Sequence, residues 1–198
     1  MKFEHQDIFF ISDLHLGHKN IIKYDERPFK DLDEMHTKII QNWNAVVSPK
    51  SIVYFLGDLS LGKNYEYIVH SLNGQKHMIM GNHDHFEDIK SLNAFQKIHE
   101  YGTEIKVIDK DSKYGYNQII LSHYPLLVWN KHHYGSWHLH GHCHGSLISR
   151  VRDYYKRKVL DVGCNVIDHT PISYQQVKNI MDKREITYLD HHTSNTNP

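Results

Sequence analysis

Five short clusters in this 198-residue chain carry side chains able to bind a metal or move a proton. They are Asp13-Leu14-His15, Gly57-Asp58, Gly81-Asn82-His83-Asp84, the single His123 within Ser122-His123-Tyr124-Pro125, and Gly141-His142-Cys143-His144. Histidine is abundant at 19 residues, and imidazole is both the commonest metal ligand and the usual proton carrier near neutral pH. In extended backbone, residues i and i+2 share a face. Asp13 and His15 are therefore expected to reach one cation, with Leu14 turned to the core. The same spacing pairs His142 with His144 and sets Cys143 on the other side, away from ligation. Asp58 has two oxygens able to bridge two cations, and Gly57 leaves room for close backbone approach. Asn82 adds a neutral carbonyl oxygen suited to a hard or borderline cation. His83 is free to act on a substrate, with Asp84 orienting its ring. Singly, these clusters have ordinary explanations: Gly-Asp and Gly-Asn form turns, and a lone histidine at a strand end is more often structural. Five together in one chain are not a product of chance. A zinc finger is excluded, because no paired cysteines supply its other half.

Each cluster follows an apolar run that reads as a buried strand: Ile8 to Ser12, Ile52 to Leu56, His77 to Met80, Asn117 to Leu121 and Trp137 to His140. Continuous runs of this length suit strands covered on both faces. Between them, Leu32, Met35, Ile39, Trp43 and Val46/Val47 recur at helical spacing after Asp31, and Tyr65, Ile68 and Leu72 repeat it until Asn73-Gly74. Ser173 and Gln176 form a capping box opening a helix to about Lys183. Strands alternating with helices, then strands dominating, predict an α/β protein of layered sheets with helices outside. Every cluster then lies at a strand's C-terminal end, where open α/β sheets bind ligands.

The length fits one domain, over 1–190, with a flexible polar tail at 191–198. Lys plus Arg equals Asp plus Glu, at 23 each, which gives no basic surplus for non-specific nucleic-acid binding. Two cysteines, Cys143 and Cys164, do not make a disulfide framework, and the N-terminal apolar run is too short for a leader or a membrane span. Mean hydropathy is −0.60, and a cytoplasmic protein without a membrane partner is expected.

In their order and spacing, D-x-H, GD, GNHD, H and GHxH resemble the motifs of the calcineurin-like metallophosphoesterases. The resemblance extends to Val162-Gly163 and Thr170-Pro171-Ile172-Ser173. It implies two facing mixed β-sheets flanked by helices, a four-layer αββα sandwich of the small, uncapped bacterial or phage type. It implies one divalent metal held by Asp13, His15, Asp58 and His144, and a second held by Asp58, Asn82, His123 and His142. His83 matches the family's catalytic histidine and Asp84 its partner. One departure is Leu59-Ser60-Leu61, which leaves Asp58 without an acidic or Asn residue soon after it.

Nitrogen and oxygen ligands without thiolate suit manganese, iron or zinc, and the resemblance favours manganese. Two divalent cations less two carboxylates leave the site at about +2 in a chain of zero net charge, so phosphate is drawn there. The implied reaction is hydrolysis of a phosphomonoester or phosphodiester, nucleotide-like in character, by a hydroxide bridging the metals. His18 and Arg27 are expected at the substrate, Arg27 gripping a phosphate oxygen. The aromatic segment from Trp129 to Trp137 is either a wall for a nucleobase or ordinary packing, and His132, His133, His138 and His140 are peripheral. The partner is a small phosphorylated substrate. A nuclease acting on polynucleotide lacks a basic stripe, and a non-catalytic scaffold would not need all seven ligands.

Overall fold

The computed structural model describes residues 2–4, 7–62, 65–151 and 153–189. In chain order, its elements are β1 (Lys2–Glu4), β2 (Ile8–Ile11), α1 (Ile21–Tyr24), α2 (Leu32–Val46), β3 (Ile52–Phe55), α3 (Glu66–Ser71), β4 (Gln75–Ile79), α4 (Phe86–Ser91), β5 (Phe95–His99), β6 (Thr103–Ile108), β7 (Tyr116–Leu121), β8 (Trp137–His140), α5 (Leu147–Arg150), β9 (Val159–Asp161), β10 (Ile172–Ser173) and α6 (Tyr174–Met181). Single 3-10 turns lie at His132–Tyr134 and Tyr154–Lys156.

The strands form two five-stranded sheets, ordered β10-β2-β3-β4-β5 and β1-β6-β7-β8-β9. In the first, β2 to β5 are parallel and β10 is antiparallel to β2. In the second, β7, β8 and β9 are parallel, and β6 runs antiparallel to β7. These are the two mixed sheets that the motif resemblance implied.

The apolar runs follow from burial on both faces. Ile8 and Phe10 of β2 enter the core between the sheets, joined by Tyr54, Val107, Ile119, Leu121, Trp137 and Leu139. Phe9 and Ile11 face the other way, with Val53 and Phe55, against α2 and α3. There α2 lays down Met35, Ile39 and Trp43 as its buried stripe. Asp31 caps this helix by accepting from the Glu34 amide, and the Trp43 indole donates to Asn73 O at 2.9 Å. The capping box of Ser173 and Gln176 is present and starts α6, which ends at Met181, short of Lys183. Tyr174, Val177 and Met181 of α6 complete the inter-sheet core. The outer face of the second sheet carries a smaller cluster of Trp129, Tyr154 and Val159. Trp137 stacks on Tyr174 and Trp129 lies under Arg157, so both tryptophans pack and neither offers a free wall.

The sheets are spliced where they meet. Ser12 N donates to Val162 O and Cys164 N donates to Ser12 O, each at 2.9 Å, in a parallel bridge between the ends of β2 and β9. The C-terminal ends of β2 and β3 are thereby set beside those of β7 and β8. Among the described residues no helix is long and apolar enough to cross a membrane. The tail expected at 191–198 lies outside the described residues.

Asp109, buried in the β6–β7 turn, accepts from Tyr174 Oη and Lys178 Nζ, each at 2.7 Å, and from Asp111 N at 3.0 Å. Burial raises its carboxyl, but the bonds from Lys178 and Tyr174 outweigh this and hold it below the usual carboxylate value. A depressed folded-state pKa gives stability that is present above the unfolded value, near 3.9, and is lost as pH falls through the folded one. Asp109→Ala is expected to lose about 2 kcal/mol in urea denaturation at neutral pH. The gap from the unsubstituted protein should close below about pH 4, and a pH-independent gap would show that the charge is not its origin.

Candidate metal centre

The clusters leave the ends of β2, β3, β4, β7 and β8 and converge. Asp13, His15 and His144 form one set, and Asp58, His123 and His142 another; within each set the ligand atoms lie within 4.8 Å of one another. Asp58 stands between them, with Oδ2 3.7 Å from His15 Nε2 and 3.5 Å from His123 Nε2. Asn82 Oδ1 is 3.0 Å from His123 Nε2. On the other side, His144 Nε2 is 3.2 Å from His15 Nε2 and 3.8 Å from Asp13 Oδ1. All seven ligand residues named from sequence thus meet in one place.

The hydrogen bonds show what the cluster fits. His123 Nδ1 lies 2.8 Å from the Leu56 carbonyl, which can only accept, so Nδ1 carries the proton and Nε2 presents a lone pair. That lone pair faces Asn82 Oδ1 and Asp58 Oδ2, both acceptors. His144 Nδ1 donates to the Asp25 carboxylate at 2.8–2.9 Å, which turns its Nε2 to His15 and Asp13. Burial, reinforced by His144 and Arg27, pushes the His15 imidazole down to about 2, and burial pushes the Asp13 carboxyl up to about 8 despite His144. Facing acceptors repel one another and burial disfavours the Asp13 anion, whereas a cation among them turns each contact into ligation. The residues fit a pair of divalent cations.

The backbone route differs from the extended one expected from the D-x-H and HxH spacing. Asp13 (φ 58°), His15 (φ 50°), Asp58 (φ 57°), His142 (φ 67°) and His144 (φ 48°) are all left-handed. Pairing of the side chains comes from two tight turns, and not from alternation along a strand. Aspartate and histidine tolerate this conformation better than most residues. Leu14 does turn to the core, fully buried. Glycine is needed where the strand ends touch. A Cβ on Gly57, itself at φ 94°, would come within 2.5 Å of His123 Nδ1, and one on Gly81 would run into the Asp58 carboxylate.

Amide donors lock these turns. The Asp13 carboxylate accepts from His142 N at 3.0–3.1 Å, and Asp58 Oδ1 accepts from His83 N at 3.0 Å. Asp84 does not take up the role of orienting the His83 ring. Its oxygens accept from the amides of Gly81, Asp58 and Leu59 at 2.7–2.9 Å, so it supports the turn that carries Asp58. This supplies from β4 the support that Leu59-Ser60-Leu61 lacks.

Arg27 is likewise corrected. Its guanidinium is buried, donating to Asp13 O and Leu14 O at 2.9 Å and to Asp25 Oδ2 at 2.9–3.1 Å. It clamps the first ligand turn and leaves no donor face for a phosphate. His18 stays at the rim, its ring 5.9 Å from that of His15. His83 is the open member, its side chain 42% exposed and its Nε2 4.0 Å from Asp58 Oδ2. His138 and His140 are fully buried and bonded to Ile120 O and Gly141 O, as their peripheral placement implied.

Three contributors escaped the sequence reading. Asp25 joins Arg27 to His144, and its signal was an acid and a base two residues apart. Asp161 accepts from Gly145 N and Gly163 N at 2.8–2.9 Å, fixing the His144 turn; it closes an apolar run just as Asp13 and Asp58 do. Tyr124, half exposed, packs its ring 4.6 Å from that of His142. Carboxylates that orient a ligating histidine commonly contribute ten- to a hundred-fold in metal affinity. Asp25→Asn is expected to weaken manganese binding by about that factor in a chelator competition, and unchanged affinity would remove Asp25 from the site.

The calcineurin-like phosphoesterase family matches residues 7–197. An uncharacterized protein of Methanocaldococcus jannaschii is 35% identical over 185 residues, 90% of this chain and 93% of its own. The gene 66 protein of Mycobacterium phage L5 is 28% identical over 178 residues, 78% of this chain and 84% of its own. A crystal structure of a protein of unknown function from Aquifex aeolicus superposes with a TM-score of 0.69 at 25% identity, covering 88% of this chain and 98% of that one. With the motifs, the two facing sheets and the convergent ligands, these likenesses establish that the chain belongs to the calcineurin-like phosphoesterase family.

Proposed function

We propose that the chain is a dinuclear metal-dependent hydrolase of small phosphoesters, mono- or diester, nucleotide-like compounds among them. The observation that carries this is Asp58, placed between two convergent sets of ligand atoms. Two divalent cations there, manganese above iron or zinc, would lower the pKa of a shared water and neutralise charge on the phosphoryl oxygens.

The chain's own groups divide the remaining work. Asp13 and Asp58 are held in place by backbone amides, so the ligand geometry is set before substrate arrives. His83, at the open side, is placed to donate to a phosphoryl oxygen or to protonate the leaving oxygen. From His83 a groove of about 640 Å³ runs past Tyr65, Glu66, His85 and Asp88. The carboxylates of Glu66, Asp84 and Asp88 in its wall disfavour a polyanion, which supports a small ester over a polynucleotide. The free thiols of Cys143 and Cys164 support a reducing, cytoplasmic setting.

His83→Ala is expected to lower kcat roughly 10²- to 10⁴-fold on an alkyl phosphoester while bound metal is unchanged. The loss should be smaller on an activated aryl ester, which needs less help at its leaving group. Full turnover of the alkyl ester by His83→Ala would contradict the role given to His83. Manganese-loaded protein that hydrolyses no member of a panel of mono-, di- and cyclic phosphoesters would contradict the reading as a whole.

A further inference from the structure

Strand β8 carries polar side chains on a face that water does not reach. Trp137 and Leu139 enter the core between the sheets, so His138 and His140 lie on the outer face, against Trp129, Tyr154 and Tyr155. Both imidazoles are fully buried. A buried imidazole is costly unless its nitrogens find partners, and those of His140 lead to the metal centre. Its Nδ1 lies 2.8 Å from Gly141 O, a group that only accepts, so Nδ1 carries the proton. Nε2 then presents a lone pair to the Tyr155 hydroxyl at 3.3 Å.

Gly141 O belongs to the peptide unit that leads into His142. It also accepts from Cys143 N at 2.8 Å, which closes a three-residue turn around His142 at φ 67°. The positive angle makes this the rare, strained form of that turn. The nitrogen of the same peptide unit, His142 N, donates to the Asp13 carboxylate. A peptide unit is planar, so holding its oxygen from one side and its N–H from the other fixes the direction in which His142 leaves the backbone. His142 depends on this more than the other ligand histidines of its strand ends. Nδ1 of His123 bonds to Leu56 O and Nδ1 of His144 to Asp25, and these bonds orient their rings. His142 is exposed, and among the described residues no hydrogen bond reaches its ring.

We infer that His140 is a positioning residue for the metal set of Asp58, His123 and His142: by donating to Gly141 O it holds the turn that aims the His142 imidazole. Gly141 N also donates to His123 O at 3.0 Å, so the same residue ties the two histidines of this set together. The inference rests on the dinuclear reading of the site. A histidine that served only as packing would be replaceable by a side chain of similar volume. The positioning role instead requires a donor where Nδ1 stands.

The test is a chelator-competition titration of the full chain with manganese, comparing the unsubstituted protein with His140→Asn, His140→Gln and Val159→Ala. Asparagine carries its amide nitrogen as many bonds from the backbone as Nδ1 and keeps the bond to Gly141 O. The glutamine amide stands at the place of Nε2, so that variant keeps the Tyr155 contact and loses the bond to Gly141 O. Val159→Ala opens a cavity in the same outer cluster without touching the turn. The unsubstituted chain is expected to bind two manganese ions, and Val159→Ala and His140→Asn to bind both within about threefold of it. His140→Gln should lose roughly tenfold or more at one of the two sites. Nitrogen-15 NMR of the unsubstituted, metal-free chain should place the His140 ring proton on Nδ1, a reading that requires no variant to fold. Four results would each overturn the inference and leave the dinuclear reading standing. They are unchanged affinity in His140→Gln, equal loss in His140→Asn or Val159→Ala, an equal loss at both sites, or a ring proton on Nε2. An unsubstituted chain that takes up a single manganese would overturn the dinuclear reading, and the inference with it.

Discussion

Lone pairs on His123 Nε2, Asn82 Oδ1 and Asp58 Oδ2 face one another, and His144 Nε2, His15 Nε2 and Asp13 Oδ1 crowd together beside them. Little water reaches most of these groups, so their mutual repulsion is poorly screened. Such an arrangement persists only if the surrounding structure forces it, and it is relieved when positive charge enters. The rest of the molecule supplies that force. Five ligands are held in left-handed backbone, each at a cost of about 1 kcal/mol or more. Backbone amides on Asp13, Asp58, Asp84 and Asp161, and the Arg27 clamp, offset part of this cost.

The two sheets divide the labour. Parallel strands of the first deliver Asp13, His15, Asp58 and Asn82, and parallel strands of the second deliver His123, His142 and His144. Neither sheet alone brings a complete set. The bridge between Ser12 and Gly163 makes their C-terminal ends neighbours, and the apolar layer between the sheets holds that alignment. Large side chains such as Phe10, Tyr54 and Trp137 fill this layer. A small error in the packing of the sheets would move ligands on one relative to those on the other.

Strand ends and ligand identities were legible because each apolar run is short and buried on both faces, and each stops at a polar cluster. The mechanism of pairing was not. D-x-H looks the same in extended and left-handed backbone, and the choice is made by contacts distant in sequence, such as Arg27 with Asp13 O and His142 N with the Asp13 carboxylate. Arg27 and Asp84 were misassigned for a related reason: a charged residue beside a motif reads the same whether it faces substrate or backbone. Asp25 beside Arg27 gave only a weak local signal, because the histidine it orients, His144, lies 119 positions away. Strands β5 and β6 went unread because Gln96-Lys97 and Glu104 interrupt their apolar pattern, as half-exposed strands allow.

The shared role of Asp58 is tested most directly by anomalous diffraction from crystals soaked in manganese. The account predicts two peaks per chain about 3.5–4 Å apart, one among Asp13, His15 and His144, the other among Asn82, His123 and His142, and both in contact with the Asp58 carboxylate. A single peak, or two that do not share Asp58, would contradict it.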